Sequence, residues 1–240
     1  MNVEMLGLPG SGKSTLNAAI LSWLSKNGWM QITFDELERR NRRLKPLLRN
    51  NSAARHVYRR DKLEKQYPEF LAIAERVLAP YPVQKAMFLQ SAIHHVTARE
   101  MANELGLMLS DEGLWHRLLY AFARQSEIGS SELSGCLNNG MRPDVLIYIE
   151  TSPEQCLESV TKRMEARGVV DPEERAIERH GPFKTLQSRR DLFQVAVDFF
   201  ERNGVKVISL KGLTCFENML ETACTGLNLT DVKPKTLATS

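Results

Sequence analysis

Gly7-Leu8-Pro9-Gly10-Ser11-Gly12-Lys13-Ser14 decides the reading of this chain. The stretch satisfies G-x-x-x-x-G-K-[ST] in full. Met1–Leu6 before it reads as a strand that runs into a tight turn, and Thr15–Leu21 after it continues as a helical face. Glycines at these places let backbone N–H groups turn inward around phosphate oxygens, and the helix start adds the positive end of its dipole. Lys13 is placed to reach the β- and γ-phosphates and the Ser14 hydroxyl to ligate Mg²⁺. Gly7, Leu8, Pro9, Gly10, Ser11, Gly12, Lys13, Ser14 and Thr15 are therefore the candidate nucleotide cradle.

Outward from the loop, periodicity alternates between strand and helix. A helix is expected over about 14–26 and the Asn27-Gly28 pair turns the chain. Strands are expected at 29–34, 106–110, 145–149 and 205–210, making five parallel strands with the first. These are short, mostly apolar runs, as expected of strands covered on both faces. Residues 36–104 contain no convincing strand and read as a helical insertion between the second and third. Residues 228–240 read as a polar tail beyond a single domain, 1–227.

Ligands of parallel sheets gather beyond the carboxyl ends of the strands. The second strand ends in Asp35-Glu36, and the third in Asp111-Glu112-Gly113. Asp35 either faces an acceptor hydroxyl as a base or caps the helix that follows, with Glu38 three residues on. Asp111 closes an apolar run, as a carboxylate facing a Mg²⁺ water shell must. The fourth strand lies between Arg142-Pro143-Asp144 and Ser152-Pro153-Glu154. Ser152 is a helix cap and Pro153 suits the first turn. That helix closes in Lys162-Arg163-Met164-Glu165-Ala166-Arg167-Gly168, followed by a mixed-charge stretch through Arg190.

The loop and the Pro-Asp strand with its arginine helix resemble the P-loop nucleoside and nucleotide kinases, in particular the thymidylate kinase-like small-molecule kinases. The resemblance spans about residues 1–210. It implies a three-layer α/β P-loop NTPase fold with a lid over 163–190, ATP and Mg²⁺ as cofactors, and transfer of the γ-phosphate to a small-molecule acceptor, a nucleoside or nucleotide. It also implies that Arg163 and Arg167 clamp the transferring phosphoryl group; the alternative reading is a solvated helix C-terminus stabilised by its cations. Relatives carry an acid followed immediately by arginine after the third strand; Glu112 stands there instead. Arg117, one turn into the next helix, is the substitute candidate or a surface arginine.

Eleven lysines and arginines against two acids between Arg39 and Lys65 give a surplus of +9. The run reads either as a solvated face or as recognition of an anionic acceptor. A nucleic-acid surface is disfavoured, since no aromatic interleaving accompanies the charge.

The whole chain is less distinctive. It has 240 residues, 42% hydrophobic and 25% charged, with a net charge of +3, which excludes disordered, collagen-like and disulfide-scaffold classes. Four cysteines without C-x-x-C spacing, no signal-like segment and no long apolar run point to a cytoplasmic protein with reduced thiols and no membrane span. A homodimer is left open. Two other functions are compatible with the residues: phosphorylation of a sugar or other non-nucleotide, and ATP hydrolysis in a switch protein with Glu112 polarising water.

Overall fold

The computed structural model describes residues 1–27, 38–101, 107–125, 130–212 and 215–228. Its first element, β1 (Asn2–Gly7), is buried at every position and delivers the chain into the glycine loop. Helix α1 (Lys13–Lys26) leaves that loop. Strands β2 (Met108–Ser110), β3 (Val145–Glu150) and β4 (Lys206–Lys211) complete the sheet among the described residues, in the order β2-β1-β3-β4 and all parallel. The architecture is α/β with a parallel sheet, as expected. The strand count differs: four strands are described where five were expected, and 29–34 lies outside the described residues. Of the segment expected at 106–110, residue 106 lies outside the described residues and the strand covers Met108–Ser110, and the last strand runs one residue later than expected, to Lys211.

Alternation along the strands divides the core in two. Val3, Met5, Val145, Ile147 and Ile149 pack with α1 and with α11 (Phe216–Gly226). Leu6, Leu146 and Tyr148 face the opposite way, toward α6 (Leu114–Phe122) and α10 (Phe183–Arg202). Successive strand side chains point to opposite faces, so apolar residues at nearly every position are the mark of a sheet sandwiched between helical layers.

The insertion is helical through its described part: α2 (Pro46–Asn50), α3 (Ser52–Gln66), α4 (Pro68–Leu78) and α5 (Pro82–Glu100). Prolines open α2, α4 and α5 in their first turns, where a missing N–H costs no hydrogen bond, and the Asn51 side chain accepts from Ala54 N at 3.0 Å to cap α3. Here the structure gives part of the basic run an architectural task. Arg55 and Arg59 are 2% and 1% exposed. Arg55 Nε lies 2.9 Å from a Glu38 carboxylate oxygen, and its Nη1 donates to the Arg49 carbonyl at 2.6 Å. Arg59 pairs with Glu38 and with Glu100, and Lys62 also meets Glu100. Arg60–Glu64 and Lys65–Asp61 are exposed pairs one helical turn apart. The surplus counted along the sequence is thus partly matched by acids outside that window, Glu38 just before it and Glu100 at the far end of α5.

Further along, α7 (Ser130–Asn139), α8 (Pro153–Glu165) and α9 (Pro172–His180) precede α10. Ser152 begins α8 as its residue type forecasts: its hydroxyl accepts from Gln155 N at 3.3 Å, and the Gln155 side chain accepts from Ser152 N at 3.2 Å. No helix of the described residues is long and apolar enough to cross a membrane.

Breaking a buried pair is costlier than forming it is favourable, because the surviving charge remains out of water. Glu38→Gln, which leaves Arg55 without its carboxylate, is expected to destabilise the protein by about 3 kcal/mol in urea unfolding.

Candidate active site at the glycine loop

Three elements meet at the loop. It rises from the carboxyl end of β1, and Gly12, at φ +98°, starts α1 in the left-handed region, which glycine occupies without cost. Gly10, at φ +83°, lies against α8: a Cβ there would stand 2.9 Å from the Cys156 carbonyl oxygen and 3.1 Å from Val160 Cγ2. Ser159 Oγ donates to the Gly10 carbonyl at 3.1 Å, fastening helix and loop together. Only a residue without a side chain permits this approach.

Lys13 lies along the loop, buried, with its Nζ donating to the Gly7 carbonyl at 2.6 Å and the Leu8 carbonyl at 2.9 Å. Burial pushes its ammonium down to about 8, opposed by Glu112, Cys156 and Asp111 and assisted by Arg163. Ser14 is exposed, and its Oγ donates to Asp111 Oδ2 at 3.0 Å across 97 residues of chain. The carboxyl end of β2 is therefore brought to the first turn of α1. A hydroxyl and a carboxylate side by side next to a phosphate cradle form a hard-oxygen donor set that fits Mg²⁺. Among the described residues no cluster of three or more His, Cys, Asp or Glu could hold a metal ion.

A cavity of about 960 Å³ opens over the loop. Pro9, Gly10, Gly12, Lys13, Ser14 and Thr15 line its floor, and Glu112 lines it too. The far wall belongs to α8, the turn after it and α9, through Ser159, Arg163 and Met164, then Arg167 and Val169, then Arg175, Glu178, Arg179 and His180. Arg163 stands one turn after Ser159, so the hydrogen bond that fixes Ser159 on Gly10 also turns Arg163 toward the loop. Burial, with Arg179, Arg189 and Arg163 close by, pushes the His180 imidazole down to about 4, so it is neutral at pH 7. Four arginines, a lysine and two acids make the cavity strongly electropositive.

The structure thus brings together most of the residues singled out from sequence. Gly7 and Leu8 stand behind the floor as acceptors for Lys13, and Ser11 is buried beneath it. Arg117 is not among the residues lining the cavity: its Nη2 is 3.7 Å from a Glu112 oxygen and its Nη1 is 3.3 Å from the Met87 sulfur on α5. Asp35 lies outside the described residues. No residue of 39–65 lines the cavity. Sequence reading passed over Arg175, Arg179 and His180 as site residues; their signal was the cationic end of α9, which becomes meaningful only when α9 folds back over α8.

Behind the loop, Glu4 on β1 is 2% exposed, and one of its carboxylate oxygens accepts from Trp115 N at 2.6 Å and His116 N at 3.0 Å. Burial pushes its carboxyl up to about 7, outweighing those two bonds and the nearby Arg117 charge.

No family model matches the chain, and no curated protein matches it. Among solved structures the chain is similar to a deoxyadenosine kinase from M. mycoides with the products dCMP and a flexible dCDP bound, at 13% identity and a TM-score of 0.46, over 96% of this chain and 100% of that one. It is also similar to a deoxyadenosine kinase from M. mycoides with bound dATP, at 15% identity and a TM-score of 0.49, over 95% and 100%.

Two protonation effects are measurable. A lysine at about 8 loses its charge between pH 7 and 9, and a bound polyphosphate restores it. Triphosphate affinity is therefore expected to fall about tenfold over that range, with net proton uptake on binding at pH 9 in calorimetry across buffers of different ionisation enthalpy. A buried acid raised from 4.5 to about 7 favours the folded state while protonated. The unfolded chain binds fewer protons between those values, so stability from this group is full below 4.5 and is lost by about pH 7. Relative to Glu4→Gln, the native protein should lose about 3 kcal/mol between pH 4 and pH 8, read as the difference of two urea titrations.

Proposed function

We propose that the protein is a Mg²⁺-dependent phosphotransferase that moves the γ-phosphoryl group of ATP to a small molecule, a nucleoside or nucleotide being the favoured acceptor. One observation carries the reading: Lys13 and Ser14 line a single cavity with Arg163 and Arg167, and Ser14 holds Asp111 at its edge through a 3.0 Å hydrogen bond. Phosphoryl transfer asks a protein for positioning and for charge to meet the oxygens of the migrating group, with little covalent chemistry of its own. This cavity supplies both.

In this reading the loop N–H groups and the start of α1 hold the polyphosphate, and Lys13 leaves the Gly7 and Leu8 carbonyls to meet it. Ser14 and Asp111 hold Mg²⁺, which when bound neutralises charge on the terminal phosphates. Arg163 on α8 and Arg167 just past its end reach in as cations, and residues 163–190 act as a lid. Asp35 contacts or deprotonates the acceptor hydroxyl, and Arg117 holds Glu112. The protein works in the cytoplasm, as a domain spanning 1–227. Sugars and other small hydroxyl compounds remain as alternative acceptors on the same chemistry.

Glu112 supports a second reading. Its carboxylate lines the cavity near Lys13, where it would polarise water for hydrolysis of ATP.

Incubation with γ-labelled ATP and pools of nucleosides, nucleotides and sugars separates the two. Transfer predicts label in an organic product, lowered at least about 10²-fold by Lys13→Ala and by Arg163→Ala; label found solely as free phosphate, whichever acceptor is offered, selects hydrolysis.

A further inference from the structure

The carboxylate of Glu4 is buried under the site and touches nothing in the cavity, yet three observations join it to the metal pair. Glu4 is register partner to Ser110, the residue before Asp111. Its carboxylate accepts from Trp115 N and His116 N in the first turn of α6. Gly113 lies directly on it, since a Cβ at that position would come within 2.5 Å of the Glu4 carboxyl carbon. The turn Asp111-Glu112-Gly113 is thus held at both ends by one residue of β1, through the sheet on one side and through the start of a helix on the other. The far side of α6 is fixed as well, because Trp115 Nε1 donates to the Met141 carbonyl at 2.7 Å.

We infer that Glu4 is a positioning residue for Mg²⁺: by clamping the start of α6 to β1 it sets where Asp111 stands against Ser14. This rests on the reading of Ser14 and Asp111 as the metal pair. An N-terminal helix turn has N–H groups without helical partners, and a carboxylate is their strongest acceptor. Here the acceptor comes from the strand that also ends in the glycine loop. Movement of α6 relative to the loop is therefore resisted at the point where the two metal-facing side chains meet. A side chain capped from within its own helix would fix the helix start equally well and leave the Ser14–Asp111 separation free.

The test separates metal placement from general folding. Binding of ATP is measured by calorimetry with and without Mg²⁺, and amide hydrogen exchange at Trp115 and His116 is followed in the protein without nucleotide. In Glu4→Ala, and independently in Gly113→Ala, the tightening of ATP binding by Mg²⁺ is expected to shrink about tenfold while Mg²⁺-free affinity stays within about twofold of native, and the two amides exchange faster. Glu4→Gln keeps an acceptor oxygen and is expected to retain the tightening within about threefold. A folded Glu4→Ala protein with the full native Mg²⁺ effect overturns the inference, as does an equal loss of affinity with and without the metal. Should Glu4→Ala not fold, Gly113→Ala carries the same comparison. Native protein that binds no ATP at all would instead overturn the phosphotransferase reading.

Discussion

The parallel pairing of β1 with β2 on one side and β3 on the other is the constraint on which the remaining structure depends. β1 ends in the glycine loop, β2 ends at Asp111, and β3 leads to Ser152 and helix α8. Because all three strands point the same way and are in register, their carboxyl ends open at one edge of the sheet. Residues from three distant parts of the chain then meet without long loops to carry them. The Ser14–Asp111 hydrogen bond and the Ser159–Gly10 hydrogen bond are local outcomes of that arrangement.

Charge burial is the main cost of this edge. Lys13 and Glu4 are both almost fully withdrawn from water, and each has its proton affinity moved toward neutrality by burial. Neither forms an ion pair with an opposed side chain within hydrogen-bond reach among the described residues; each relies on backbone groups, Lys13 on carbonyls and Glu4 on amides. Lys13, held by backbone carbonyls alone and lining the cavity, keeps its charge open to an incoming anion, whereas Glu4, out of reach of the cavity, uses its acceptors at the start of α6. The insertion solves the same problem differently, with Arg55 and Arg59 matched by Glu38 and Glu100. That contrast separates charges held by backbone groups at the sheet edge from charges that pair with each other to pack the insertion.

Local signals were readable wherever the physics was local. The loop, the helix that follows it, the Ser152 cap with Pro153 behind it, and the apolar run at 145–149 all depend on neighbours a few residues away, and each forms as its residues indicate. The basic run from Arg39 to Lys65 was less readable. Its charge count was correct, but the acids that offset part of it lie outside the window, at Glu38 and at Glu100 on the far end of α5. Arg117, a substitute candidate or a surface arginine on sequence grounds, faces Glu112 and Met87 in the fold.

The sequence by itself determined a glycine loop with a lysine and a serine at its end, following a buried strand, since glycine conformations and a lysine at fixed spacing are properties of eight consecutive residues. It also determined an alternating α/β order, since hydrophobic period is set along the chain. The pairing of Asp111 with Ser14 was already indicated by the acid that closes an apolar run, and the fold supplies their 3.0 Å contact; tertiary structure alone decided that Arg175, Arg179 and His180 join Arg163 and Arg167 around one cavity and that Glu4 binds the start of α6. Those relations depend on strand order and helix packing, and contacts between residues about 100 positions apart leave no periodic trace in the chain that forms them.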